Sequence, residues 1–265
     1  LWGEDSRHYY VHGKDNIPFH AIILPALMLA NGGSWKLPDN IISSEYLTLE
    51  DRKISTSQGW AIWAKDIAER YHPDAIRYYL LAHGPEKRDS DFTWLEFVNC
   101  NNSELLGAYG NLVHRTLAFI YKYCDGRIPG GTPDAGLSAH IEKLYADAGR
   151  LIERGSIKDA LEASFVLVRH GNKYFDGEKP WETRLNDSTA CHNTLYNCVH
   201  VIGNLAVLLE PFLPFSSEKV TAWLGLGSGW TVKSVPAGLI IPEPEILFER
   251  LDKKVADEEL ARLTK

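Results

Sequence analysis

The chain has 265 residues, 45% hydrophobic and 24% charged, with 8 Trp and 12 Tyr. That composition excludes a disordered, collagenous or low-complexity polypeptide and requires a substantial core, and at roughly 100 to 200 residues per domain it points to two domains rather than one. The net charge of −7 argues against non-specific nucleic-acid binding, which needs a cationic surface, while leaving room for a site-specific RNA binder with a local basic patch. No apolar run approaches the ~20 residues of a membrane span, so no membrane partner is expected. Cys100, Cys124, Cys191 and Cys198 form no CxxC pair and have no His at zinc-ligand spacing. They are expected to be small buried hydrophobes in a reducing compartment, which favours the cytosol. The chain opens at Leu1 and its only methionine is Met28, inside an apolar segment; a piece of a longer polypeptide is therefore expected.

In chain order, RHYYVHG (7–13) predicts a strand ending at Gly13. PFHAIILPALMLAN (18–31) predicts a helix kinked at Pro25 and closed by Asn31, Gly32 and Gly33, and DNIISSEYL (39–47) predicts a second strand. Strand, helix, strand is a crossover unit, and such units build parallel sheets whose ligands sit at the carboxyl ends of the strands, where Gly13, Lys14 and Asp15 fall. A polar loop over 48–59 leads to predicted helices at 60–71, ended by His72 and Pro73, and 75–84, ended by Gly84 and Pro85. From Ser103 the periods lengthen, predicting helices at 103–123, 137–154, 157–175, 188–210 and 216–226, an antiparallel bundle with short connections. VKSV (232–235) and GLIIPEP (238–244) are candidate short strands, followed by a charged helix-like end.

Three segments carry candidate chemistry. In GKDNIPFH (13–20) a glycine at a strand end lets backbone approach a ligand, and an acid two residues later can accept both hydroxyls of a ribose; the same tripeptide is also ordinary turn chemistry. In KISTS (53–57) a lysine, two serines and a threonine on a loop ending at Gly59 suit the negative charge of a developing pyrophosphate, although polar loops are commonly just solvated. In the helical half, Asn111 and Arg115 are four apart and share a helix face. Trp181 follows the rigid Pro180 among polar neighbours, an arrangement suited to stacking on an unpaired base.

Taken together, GKDNIPFH, SSEYL (43–47) followed by KISTS, WAIWAKD (60–66) and HPDAIRYYLLAHGPEKRDSDFTWLEFV (72–98) closely resemble the carboxyl half of the catalytic domain of methionyl-tRNA synthetases, the archaeal-like branch in particular. ELLGAYGNLVHR (104–115) and NKYFDGEKPW (172–181) carry the resemblance through nearly the whole chain. It implies an α/β half of a Rossmann-type class I catalytic domain over 1–58 and a stem-contact connector over 59–100. An all-α anticodon-binding helix bundle with a returning tail would follow over 101–265. Trp60, Trp63, Tyr78, Tyr79 and Trp94 would be packing residues of the connector.

Residue by residue, the resemblance implies that Gly13 and Asp15 hold the ATP ribose and that main chain near Leu47 meets the adenine. Asn16 and His20 would complete a methionine pocket. Lys53, Ser55, Thr56 and Ser57 would form the catalytic signature loop, with Lys53 and Thr56 also on ATP. Asn111, Arg115 and Trp181 would read the anticodon, with Asn172 nearby. The implied activity is ATP-dependent activation of methionine and its transfer to tRNA(Met), ATP entering with Mg2+ and zinc being confined to an N-terminal insertion outside this chain. No DNA partner is implied. The loop departs from the family in having Thr56 where a second lysine stands; loss of one transition-state cation typically costs a few kcal/mol, so activation is expected to be ~100-fold slower unless Arg52 compensates. The HIGH motif is absent from these residues, so alone they are expected not to make methionyl-adenylate. The alternative is a synthetase-derived tRNA-binding or regulatory paralogue without efficient activation.

Overall fold

The computed structural model describes residues 5–33 and 35–263. Strands β1 (Tyr9–Gly13) and β2 (Asn40–Ser44) pair in parallel, with Tyr9 opposite Asn40 and Gly13 opposite Ser44. The crossover between them runs through a 3-10 turn at Lys14–Asn16, a π-type turn at Phe19–Ile23 and helix α1 (Leu24–Ala30). Pro25 has no N–H, and its ring crowds the carbonyl four residues back. The helix accommodates it by widening just upstream, without a break.

The stretch expected as one strand over 39–47 is divided between two sheets. β2 ends at Ser44, and β3 (Leu47–Leu49) starts a second sheet, antiparallel to β4 (Arg52–Lys53) and parallel to β5 (Ser90–Phe92). The two peptide groups between the sheets bind a distant loop instead: Glu45 N donates to Pro85 O at 2.8 Å and Tyr46 N to Asp89 Oδ1 at 2.9 Å. The helix expected from Trp60 begins later, as α2 (Ala64–Arg70). Trp60 is used to close a hairpin, exchanging two 2.9 Å backbone bonds with Ser55 while its Nε1 donates to Leu49 O at 2.9 Å. Trp63, expected as packing, is 61% exposed, whereas Tyr78, Tyr79 and Trp94 are buried as expected. Helix α3 (Pro73–Ala82) is capped by His72, whose Nδ1 accepts from Asp74 N at 3.2 Å.

A continuous helical run then spans α4 (Trp94–Cys100), a π-type stretch Asn101–Gly110 and α5 (Asn111–Tyr123). The widened stretch is where the tail docks: Asn102 takes both peptide groups of Leu251, donating at 2.8 Å and accepting at 2.9 Å. Helices α6 (Ala135–Glu153), α7 (Ile157–Glu178), α8 (Pro180–Asn186), α9 (Ser188–Leu209) and α10 (Pro214–Trp223) complete the bundle around α9, which is buried at every residue from Val201 to Leu209. α7 runs three residues beyond its expected end, until Lys179 turns left-handed (φ 46°) and Pro180 opens α8.

The expected tail strands do not form among the described residues. The buried Asn204 holds the peptide groups of Lys233 at 2.8 and 3.0 Å, and Ile128 N donates to Leu239 O at 2.9 Å. Helix α11 (Lys254–Leu263) returns to the connector, where buried Glu259 accepts two 2.8 Å bonds from Arg70 and one of 2.7 Å from the Tyr71 hydroxyl. No described helix is long and apolar enough to cross a membrane.

Candidate functional site

Two groups of candidate residues lie in different elements of the chain. At the first, the turn after Gly13 carries Asp15 past the carboxyl end of β1, where its Oδ2 accepts the Tyr46 hydroxyl at 2.5 Å. Asp15, Tyr46, Leu47, Thr48, Lys53, Ile54 and Asp89 line one cavity of about 510 Å³. A base edge could meet main chain on β3 there, with hydroxyls on Asp15 and a cation from Lys53. A second cavity, of about 360 Å³, lies among Leu49, Ile62, Ile67 and Phe92. It is apolar, and the guanidinium on its wall, Arg77, already donates to the carbonyls of Pro211 and Phe212 at 2.8 and 2.9 Å. It offers nothing to a triphosphate.

The electrostatics of the polar cavity follow from its pairs. The Lys14 ammonium lies 2.5 Å from Glu45, 3.1 Å from Asp89 and 4.2 Å above the Tyr46 ring, and Glu45 then Asp89 raise its pKa. Asp89 is held below the usual carboxylate range by the Tyr46 N–H and then by Lys14. The Tyr46 phenol is pushed up because Asp15 accepts its proton in a hydrogen bond.

The KISTS loop, expected as the signature loop, is a closed hairpin tip. Thr56–Gln58 forms a 3-10 turn, Gly59 sits at φ 69°, where a side chain would be strained, and the Ser55 and Ser57 hydroxyls are 3.2 Å apart. Thr56, Ser55 and Ser57 lie beyond the cavity lining, which Lys53 enters from β4. Arg52, the expected compensator for Thr56, stacks its guanidinium 3.9 Å over the Trp60 ring. Asn16 and His20 are brought together through backbone: His20 Nδ1–H donates to Asn16 O at 3.0 Å, and the imidazole stacks on His12 at 4.6 Å.

At the second site, Asn111 and Arg115 on α5 face α7. Asn111 Nδ2 lies 3.4 Å from Asn172 Oδ1, and Asn172 Nδ2 is anchored on the carbonyls of Ala108 and Val168 at 3.0 and 3.1 Å. Arg115 donates to Asp176 Oδ1 at 2.5 Å and stacks 4.0 Å over Phe175, whose ring is 6.1 Å from Trp181. Trp181, in the first turn of α8, is 43% exposed, so part of its face is open for stacking. The structure therefore brings Arg115, paired with Asp176, and the partly exposed Trp181 against the buried Phe175 ring, with Asn111 one turn away.

Sequence reasoning placed Lys14 at the strand end without a role, and missed Tyr46 and Asp89 at the first site and Phe175 and Asp176 at the second. The four missed residues all lie within segments quoted for the resemblance, Tyr46 in SSEYL, Asp89 in the 72–98 stretch and Phe175 and Asp176 in NKYFDGEKPW, but none had a chemical signal of its own.

Comparison with known sequences now decides the lineage. The family profile of "tRNA synthetases class I (M)" matches residues 1–117, and the profile "Anticodon binding domain of methionyl tRNA ligase" matches residues 128–265, over half of the chain. The chain belongs to the methionyl-tRNA synthetase family. Methionine–tRNA ligase 1 of Alkaliphilus oremlandii is 54% identical over 265 residues, covering 99% of this chain and 49% of that protein. A Bacillus cereus methionine–tRNA ligase is 50% identical, with 99% and 48% covered. Mycobacterium tuberculosis methionyl-tRNA synthetase bound by methionyl-adenylate superposes with a TM-score of 0.84 at 27% identity, covering 91% of this chain and 50% of that one. Its apo form superposes with a TM-score of 0.82 at 26% identity. The chain spans about half the length of the synthetases it matches. The expected fold class, a Rossmann-type portion followed by a helical anticodon-binding bundle, holds.

Proposed function

We propose that these residues serve a cytoplasmic methionine–tRNA ligase, which activates methionine with Mg2+-bound ATP and transfers it to tRNA(Met). Residues 1–58 supply the ribose, adenine and signature-loop side of the nucleotide site, 59–100 the connector, and 101–265 the anticodon-reading bundle. The observation that carries this reading is the convergence of Asp15, Leu47 and Lys53 on one cavity at the carboxyl end of a parallel strand pair. Gly13 allows close backbone approach of the ribose, and Lys53 stabilises charge on the departing pyrophosphate as the methionine carboxylate attacks the α-phosphate. Thr56 adds a hydroxyl where a cation would do more, and Ser55 and Ser57 shape the loop. Asn16 and His20 close the methionine pocket, His20 by contact and not as a strong base. Asn111, Arg115 and Trp181 read the anticodon. Without a HIGH motif, this stretch alone does not form adenylate.

Methionine-dependent ATP–pyrophosphate exchange in the intact ligase tests the reading. Lys53→Ala is expected to slow exchange ~100-fold or more and Thr56→Lys to accelerate it. Exchange unaffected by Lys53→Ala would contradict the assignment of the loop, and no gain from Thr56→Lys would contradict the role given to Thr56. An intact protein that binds tRNA(Met) but shows no exchange would favour the tRNA-binding paralogue, for which Thr56 is the supporting residue.

A further inference from the structure

We propose that Asp89 is a positioning residue for the nucleotide site: from the loop after α3 it fixes the Tyr46 backbone and the Lys14 ammonium, and Tyr46 in turn orients the Asp15 carboxylate. The inference rests on the reading that Asp15 takes the ATP ribose. Its starting point is the gap between the two sheets. Glu45 and Tyr46 lie between β2 and β3, and the loop 85–89 with Ser90 at the start of β5 supplies their backbone partners. Glu45 N donates to Pro85 O at 2.8 Å, Tyr46 N to Asp89 Oδ1 at 2.9 Å, and Ser90 N to Tyr46 O at 3.0 Å. Where Tyr46 points is therefore decided by a segment far away in sequence, and its hydroxyl ends 2.5 Å from Asp15 Oδ2.

Lys14 gives Asp89 a second task. An ammonium one residue from Asp15 would compete for the carboxylate that must accept ribose hydroxyls. Here it is drawn the other way, 2.5 Å from Glu45 and 3.1 Å from Asp89, with the Tyr46 ring beneath it at 4.2 Å. Among the described residues Asp15 has one oxygen fixed by a phenol and no cation bridging it, as a preorganised diol acceptor requires. Asp89 itself lines the same cavity.

The test is the Michaelis constant for ATP in pyrophosphate exchange, measured on the intact ligase. Asp89→Ala and Tyr46→Phe are each expected to raise it about tenfold, the usual loss for a hydrogen bond to a charged group, with the constant for methionine unchanged. Asp89→Asn should recover part of the loss, because its amide oxygen still accepts the Tyr46 N–H. The double variant Asp89→Ala with Tyr46→Phe should be no worse than the worse single variant, since the two act in series. An ATP constant within about twofold of wild type for Asp89→Ala, equal increases for ATP and methionine, or full additivity of the pair overturns the inference. Asp15→Ala separates the two levels of the argument: if it leaves the ATP constant unchanged, the ribose reading itself fails, whatever Asp89 does.

Discussion

The strand-bearing amino end and the helical bundle differ in how their described residues hold together. Within this chain, which spans about half the length of the synthetases it matches, only Met28 is buried among described residues 5–33, and apolar side chains of the crossover unit such as Val11 at 72% and Leu27 at 63% exposure are left uncovered. In the bundle, α9 is buried at every residue from Val201 to Leu209, and Leu205, Phe165 and Leu112 are fully buried. The bundle holds its shape by packing. The amino end is held largely by polar pairs: the parallel strand ladder, the Lys14 pairs, the Tyr46–Asp15 bond and the Asp89 contacts. The candidate side chains follow the same division, ordered by hydrogen bonds at one end and by aromatic and helix packing at the other.

Core truncation should give the largest contrast. Leu205→Ala removes a fully buried side chain in α9 and is expected to cost about 2–5 kcal/mol in denaturant unfolding, while Val11→Ala should stay within about 0.5 kcal/mol. Similar losses at both positions would break the contrast.

A smaller effect should come from pH. Burial lowers the pKa of His200 on α9 and of His72 at the start of α3 below the ordinary 6.5. His72 is also needed neutral, because its Nδ1 accepts the Asp74 N–H. The unfolded chain then binds more protons just below 6.5, so this stability is complete above that pH and is lost as pH falls through it toward the folded pKa values. Melting temperature should drop between pH 7.5 and 5.5, and His200→Gln should flatten the drop; an unchanged slope would remove His200 from the account.

What was legible in the sequence follows the same physics. The crossover unit and the long bundle helices were readable because apolar periodicity and Gly/Pro punctuation fix them locally. Trp60 misled because WAIWAKD has a helical period, yet a buried hairpin partner and a carbonyl for its Nε1 outweighed that propensity. The helix expected to end at 175 continues to Glu178 because Pro180 sets the stop by opening α8. Asp15, Leu47 and Lys53 were legible as candidates; their shared cavity was not, since it depends on Asp89 and Tyr46 meeting across distant sequence. Arg115 and Trp181 were legible by spacing and context, whereas the Phe175 ring between them appears only once α5, α7 and α8 are packed.

On the proposed function, one chain carries two separable ends, one serving the nucleotide and one serving the anticodon. Measuring both tRNA(Met) affinity and methionine-dependent pyrophosphate exchange for Trp181→Ala in the intact ligase tests it most directly. Loss of one stacking face, worth ~1–3 kcal/mol, should weaken tRNA(Met) binding about ten- to hundredfold and leave exchange at the wild-type rate. Unchanged tRNA affinity, or an exchange rate that falls in step with it, would contradict the account.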